Sequence, residues 1–373
     1  MNILSVTRNG RHRTPLADHH DVIQRLREGI NERVVGRDHD GVRNSDEDEV
    51  PGSSTVDLML GTLLAGGHIL FSDHPGSGKT MLAQVLAAVI EHDLDDDLFA
   101  KFKSIPCCPD LLPMDIVGQQ TLTLDDKGNN TLKFQPGPLF ARIQLVDEIN
   151  RLNSKTSAVF FEVLAQRQIT YGTETVSLEP FHFVCATRNP HDEGTSAMSV
   201  ALLDRFLIDR SLPQLSEADV ARIMFTEDRQ PQISPSVTLS ELVSVQRALH
   251  LRGYETEEKR RLAALVNALQ ATIDEQVYQP GKKGWLKFGG CLSLRTIKRL
   301  AQLLRSIAFL RSEGIESRFK VTPGLLLCVG PDFLRHRLSP VEELPAVELT
   351  RRYMCLCDEA YEKCRKMTGH VSG

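Results

Sequence analysis

His68-Ile-Leu-Phe-Ser-Asp-His-Pro-Gly-Ser-Gly-Lys-Thr80 is the stretch whose reading decides the fold. Ile69 to Phe71 is a short apolar run, and a Gly/Pro turn follows it. Beyond the turn, Met81, Leu82, Val85, Leu86, Val89 and Ile90 recur at the spacing of one helix face. Strand, glycine loop and helix in that order build an anion site, because loop N–H groups and the positive helix end converge on one point. Lys79 adds a charge for outer phosphates, and the Thr80 hydroxyl is a ligand suited to Mg2+. Asp73 stands where the phosphate-loop pattern has its first glycine. Asp tolerates left-handed backbone better than most residues, so the turn survives, provided the carboxylate points away from a triphosphate.

The 373 residues suffice for two or three domains. With 41% hydrophobic and 25% charged residues the chain reads as soluble and globular. A net charge of −5 disfavours a dedicated nucleic-acid surface. No run approaches the roughly 20 apolar residues of a membrane span, and Met1 to Arg13 lacks an apolar signal core, so a cytoplasmic protein without membrane insertion is expected. The eight cysteines read as reduced thiols; a tail metal site from Cys355, Cys357, Cys364 and His370 is the sharper alternative.

Working outward, Asp18 to Val34 has helix spacing. The segment 38–54, with Asp46-Glu-Asp-Glu49 and Pro51-Gly-Ser-Ser54, reads as a solvated loop, and Val56 to Leu64 as a helix. Ile105 to Gly118 carries three prolines and reads as loop with short strand pieces. Thr121 to Phe134 forms a hairpin around Asp125-Asp-Lys-Gly-Asn-Asn130, and Gln168 to Leu178 a second strand pair. Ile143 to Val146 and Phe181 to Ala186 are further buried strands. After about Leu212 helical patterns take over, through Leu262 to Ile273 and Ile297 to Leu310. Strands alternating with helices, then helices alone, imply an α/β nucleotide domain with a parallel sheet, followed by an all-α domain. The expected divisions are 1–54, 55–212, 213–338 and a C-terminal extension, 339–373.

Asp147-Glu148 follows an apolar strand. By itself such a pair is often turn chemistry; beside a phosphate loop, Asp147 can hold Mg2+ and Glu148 can polarise an attacking water. Asn189 can hydrogen-bond a γ-phosphate, or simply make an Asn-Pro turn. Arg205 is either a surface charge or an arginine finger reaching a neighbouring subunit's nucleotide. Arg295 is either a solvated charge or a group closing over the phosphates from above.

Asp110-Leu-Leu-Pro-Met-Asp-Ile-Val-Gly118, Gln135-Pro-Gly-Pro-Leu-Phe140, Val146-Asp-Glu-Ile-Asn-Arg151, Ala186-Thr-Arg-Asn-Pro190 and Leu202-Leu-Asp-Arg-Phe-Leu207 resemble, in order, the MoxR group of AAA+ ATPases. Val34-Val-Gly36, Gly66-Gly-His68 and Leu334-Arg-His-Arg337 fit the same family, so the resemblance runs from about Leu26 to His336. It implies an AAA+ αβα P-loop core with a helical lid, a homo-oligomeric ring, usually a hexamer, and ATP with Mg2+ bound between subunits. His74, Pro75, Gly76, Ser77, Gly78, Lys79, Thr80 and Met81 would be Walker A contacts and Val34-Val35 the adenine side. Asp147 and Glu148 would be Walker B, with Thr80 and Asp147 toward the metal. Asn189 would be sensor 1, Arg205 the trans-acting finger and Arg295 sensor 2. The 168–178 pair resembles the family's helix-2 insert. Members remodel or activate protein clients, often with von Willebrand factor A proteins. This chain has no Asp-x-Ser-x-Ser motif, so such a partner would be a separate polypeptide. Asp73, Arg188 in place of a common Gln, the 38–54 segment and the tail depart from the family pattern. The alternatives are a nucleotide-gated switch with little hydrolysis and a nucleic-acid motor.

Overall fold

The computed structural model describes residues 16–34, 43–45, 48–50, 54–74, 76–124, 130–189, 198–212, 217–225, 234–279, 284–287, 292–342 and 344–368. Val35, Pro75, His370 and most of the 38–54 segment lie outside the described residues.

Helix α1 (Leu16–Asn31) turns Ile23, Leu26 and Ile30 inward. Ser54 starts α2 (Thr55–Leu64) by accepting from the Asp57 N–H at 2.9 Å, a side-chain cap that satisfies one otherwise unpaired helix donor. Strand β1 (Ile69–Ser72) is buried at all four residues, as expected for a strand covered on both faces. It leads through the glycine loop to α3 (Lys79–Ala88). Strand β2 (Ala100–Pro106) and the short helix α4 (Pro113–Val117) follow, then the hairpin β3 (Gly118–Leu124) and β4 (Asn130–Pro136). Strand β5 (Ala141–Asp147), helix α5 (Ser154–Gln166), the hairpin β6 (Gln168–Tyr171) and β7 (Glu174–Ser177), β8 (Phe183–Arg188), the single turn α6 (Val200–Leu203) and β9 (Ile208–Arg210) complete the strand-bearing half.

The central sheet runs β9-β1-β8-β5-β2, and every pairing in it is parallel. Parallel neighbours need crossovers, and helices supply them on both faces, so the α/β expectation holds. One core lies on the α5 side, where Leu70, Val146 and Val184 meet Phe160 and Phe206. The second and larger core unites the other sheet face with α1, α2 and the helices that follow.

Those helices are α7 (Glu217–Phe225), α8 (Leu239–Leu251), α9 (Thr256–Glu275), α10 (Leu294–Arg311), α11 (Leu326–Leu334) and α12 (Ala346–Thr368). The predominantly helical second half is as read from the sequence, with one two-residue strand, Val237–Thr238, pairing in parallel with Ile90–Glu91. The helices do not stand apart from the core, however: a Cβ on Gly61 of α2 would lie 2.5 Å from Ile307 of α10, so the two helices meet at a residue without a side chain. The tail forms α12, which buries Tyr353, Leu356, Cys357 and Ala360, and the Tyr353 hydroxyl donates to the Leu338 carbonyl at 2.7 Å. It is a structural part of the helical region.

Counting crossovers corrects one assignment. The second crossover, between β2 and β5, is the one interrupted by a hairpin, Gly118–Pro136. The 168–177 hairpin follows α5, after Asp147-Glu148, and so is not the insert of helix 2. Both segments alternate and end at turns, and only strand order separates them.

Candidate functional site

The ends of β1, β5 and β8 open onto one edge of the sheet, and the glycine loop covers it. Gly76 (φ 79°) and Gly78 (φ 88°) take the left-handed backbone that only glycine adopts freely. Gly78 is the N-cap of α3 and offers no side-chain acceptor, so the first-turn N–H groups have no side-chain cap and face the loop. A Cβ at Gly76 would meet nothing within 4 Å, which leaves room for a ligand against the backbone. Lys79 is buried and donates to the carbonyls of Asp73 (2.5 Å) and His74 (2.9 Å). Burial lowers its pKa, opposed by the carboxylates of Asp73, Asp147 and Glu148. The loop amides, an ammonium and nearby carboxylates together form a donor set that fits a Mg2+-bound polyphosphate.

Asp73 is less awkward than the sequence implies. It is not among the described non-glycine residues with positive φ, so the turn asks for no left-handed backbone there. Its Oδ1 accepts from the His74 N–H at 2.8 Å, and its own N–H donates to the Arg188 carbonyl at 3.2 Å. Arg188, the other departure, is held beneath the loop. Its Nε donates to Ser72 Oγ at 2.6 Å and its guanidinium pairs with the fully buried Asp209 at 2.6 Å, while Ser72 Oγ also donates to Asp209.

Asp147 ends β5, and Glu148 takes a left-handed conformation (φ 56°, ψ 47°) that starts a 3-10 turn through Arg151. A glutamate held there at local cost is a sign of a constrained position. Its carboxylate pairs with Arg151 at 2.9 Å. Thr187, unremarked in the sequence, ties the pair together: its hydroxyl donates to Asp147 Oδ1 and accepts from the Glu148 N–H at 2.9 Å. The signal for it was the register of β8 on β5, which sets Ala186 beside Val146 and hence Thr187 beside Asp147. Asn150 is a second missed residue, donating to the Asn189 carbonyl at 3.0 Å just past the end of β8.

The structure brings Lys79, Thr80, Asp147, Glu148 and Asn189 to this edge. Val34 is buried at the end of α1, and Met81 is half exposed on α3.

Arg205 and Arg295 lie at the other edge, where the strands begin. Leu207, just before β9, donates to the His68 carbonyl at 2.7 Å, just before β1. Arg205 lies over the Phe161 ring at 4.4 Å and pairs with Asp204 at 3.5 Å. Thr296 in the first turn of α10 donates to Asp204 at 3.2 Å, and Arg337 reaches the same carboxylate at 3.3 Å. Arg295 is thereby a like-charged neighbour of Arg205, whose pKa is lowered chiefly by burial and then by Arg295. Four-residue β1, about 13 Å long at ~3.3 Å per residue, separates this group from the loop. Arg295 therefore does not close over the loop of its own chain.

Residues 68–208 match the family profile described as "ATPase family associated with various cellular activities (AAA)". The chain is 29% identical over 298 residues to the chaperone MoxR1 of Mycobacterium tuberculosis, covering 79% of this chain and 74% of MoxR1. It is 34% identical over 194 residues to the uncharacterized protein YeaC of Bacillus subtilis, and that match spans 51% of this chain and 57% of YeaC. A Cytophaga hutchinsonii crystal structure designated a candidate ATPase shares the fold, with a TM-score of 0.69 at 21% identity, covering 91% of this chain and 95% of that one. Among the described residues no three His, Cys, Asp or Glu side chains group as a metal site, and no helix is long and apolar enough to cross a membrane.

Proposed function

We propose, on the premise that this chain belongs to the MoxR-type AAA+ ATPases, that it binds and hydrolyses ATP and couples turnover to remodelling or maturation of a protein client. The observation that carries the reading is Thr187 bridging Asp147 and the Glu148 N–H at the mouth of the glycine loop. It orients a metal-binding carboxylate and a base in one hydrogen-bonded unit.

The division of labour follows from the geometry. The Gly76–Thr80 amides and Lys79 hold the phosphates, and Lys79 exchanges its two loop carbonyls for phosphate oxygens. Thr80 and Asp147 would hold Mg2+, which when bound offsets phosphate charge. Glu148, freed from Arg151, accepts a proton from the attacking water, and Asn189 positions that water or the γ-phosphate. Arg205 and Arg295 lie a strand's length from the same chain's loop. We therefore assign Arg205 and Arg295 together to the nucleotide of the next subunit in a homo-oligomeric ring, with a hexamer as the expected closure. A separate von Willebrand factor A protein is the partner class we favour. An Asp73 carboxylate turned toward the phosphates would favour a non-hydrolysing switch; it instead accepts from the His74 N–H.

Steady-state turnover of Glu148→Gln tests the reading. ATP binding should persist while turnover falls by at least 100-fold. Wild-type turnover no higher than that of the variant, at ring-forming concentrations, would leave only the switch.

A further inference from the structure

A cleft of about 930 Å3 lies between the strand-start edge and the helical region. Gly66, Arg167 and Glu179 form its core side, and α8 and α10 its helical side. Four guanidiniums line it, those of Arg167, Arg247, Arg299 and Arg305, against the single carboxylate of Glu179. That carboxylate is already paired with Arg167 at 3.2 Å.

Two of the arginines are fixed by main-chain acceptors. Arg167, itself left-handed (φ 53°), donates to the Gly66 carbonyl. Arg305 donates to the Leu249 carbonyl at 2.7 Å and stacks on Tyr254 at 3.7 Å. The other two, Arg247 and Arg299, have neither a hydrogen-bond acceptor nor a carboxylate partner among the described residues. Arg299 is partly buried, and its charged neighbours among the described residues include Arg167, Arg205, Arg295 and Arg337, opposed by Asp204. Burial, and then that repulsion, push its pKa down to about 10. A guanidinium taken partly out of water among more positive than negative neighbours is costly, and a bound anion offsets the cost.

We propose that this cleft is a second anion site, separate from the glycine loop, which takes a small ligand carrying a chain of two or more phosphates. Arginine forks match phosphate oxygens in pairs, and several of them converging on one concavity suit a compact polyanion. The volume is that of a small-ligand pocket. Because the walls come from both the sheet edge and the helical region, the ligand bridges the two.

The test uses full-length protein saturated with ADP without free divalent cations, titrated with inorganic tripolyphosphate in a calorimeter. One additional saturable site per chain is expected. It should weaken at least tenfold in the Arg247→Gln/Arg299→Gln double variant and recover in part in Arg299→Lys, with ADP affinity unchanged in both. No heat beyond the ADP site, or undiminished binding in the double variant, overturns the proposal. Binding that vanishes when the protein is diluted to monomers also overturns it, and assigns the cleft to a neighbour's nucleotide. Failure of ADP itself to bind would instead count against the glycine-loop reading.

Discussion

The two edges of the central sheet are built on opposite electrostatic plans. At the strand-end edge, charges are matched: Lys79 lies near Asp73, Asp147 and Glu148, Arg188 pairs with Asp209, and Glu148 with Arg151. At the strand-start edge, Arg205, Arg299 and Arg337 share the one carboxylate of Asp204, and burial, then like-charged neighbours, lower their pKa values. One edge offers loop amides and an ammonium to a polyphosphate; the other gathers guanidiniums away from that loop. The difference supports the proposal that neither edge is a whole catalytic site and that two copies set edge to edge would complete one.

The comparison can be broken first at the loop. Lys79→Ala removes the buried ammonium between the loop carbonyls and should weaken nucleotide binding by at least about 100-fold, roughly 2.7 kcal/mol, measured by equilibrium titration. Near-normal affinity would mean that the amides alone carry the phosphates.

Thr187→Val sharpens the same edge. It keeps the β-branched shape that β8 requires and deletes the hydroxyl between Asp147 and Glu148. Outer-shell partners of this kind are worth ~10–100-fold. We expect turnover down about tenfold, with an unchanged thermal midpoint.

The smallest effect belongs to the other edge. His182 is buried beside His68, with ring centroids 5.1 Å apart, and burial, then Arg167 and Arg142, push its pKa from 6.5 to about 3. Below pH 6.5 the unfolded imidazole takes up a proton that the folded one refuses, so stability falls as pH falls from 6.5 toward 3. Each such group contributes at most ~1.4 kcal/mol per pH unit. His182→Phe should therefore flatten the decline in urea-unfolding free energy between pH 6.5 and pH 5. An unchanged slope would show that this histidine is not a source of it.

Much of this was legible from local sequence. The apolar run Ile69 to Phe71, the glycines at 76 and 78 and the helix spacing after Thr80 reported the β1-loop-α3 unit, because all three signals are local. Asp147-Glu148 was legible for the same reason. Thr187 was not, since its role exists only once β8 is in register with β5. Nor was the setting of Arg295, which depends on Thr296 docking α10 onto Asp204, 92 residues away in sequence. The tail read as an extension because α9, which it reaches through Lys363–Glu275 and Cys364–Arg261, lies 88 and 103 residues earlier at those pairs. Asp73 drew suspicion through a backbone rule that its conformation does not invoke.

The central claim, that the two edges act between copies, is tested most directly by mixing two inactive variants. Glu148→Gln keeps the arginine edge and loses the base; Arg205→Ala keeps the base and loses the finger, a loss worth ~10³-fold or more in rate. Each alone should be nearly inactive as an ATPase. Mixed in equal amounts under exchange conditions, they should recover a substantial fraction of wild-type turnover, because some junctions join an intact loop to an intact arginine edge. A mixture no more active than its components would contradict the account.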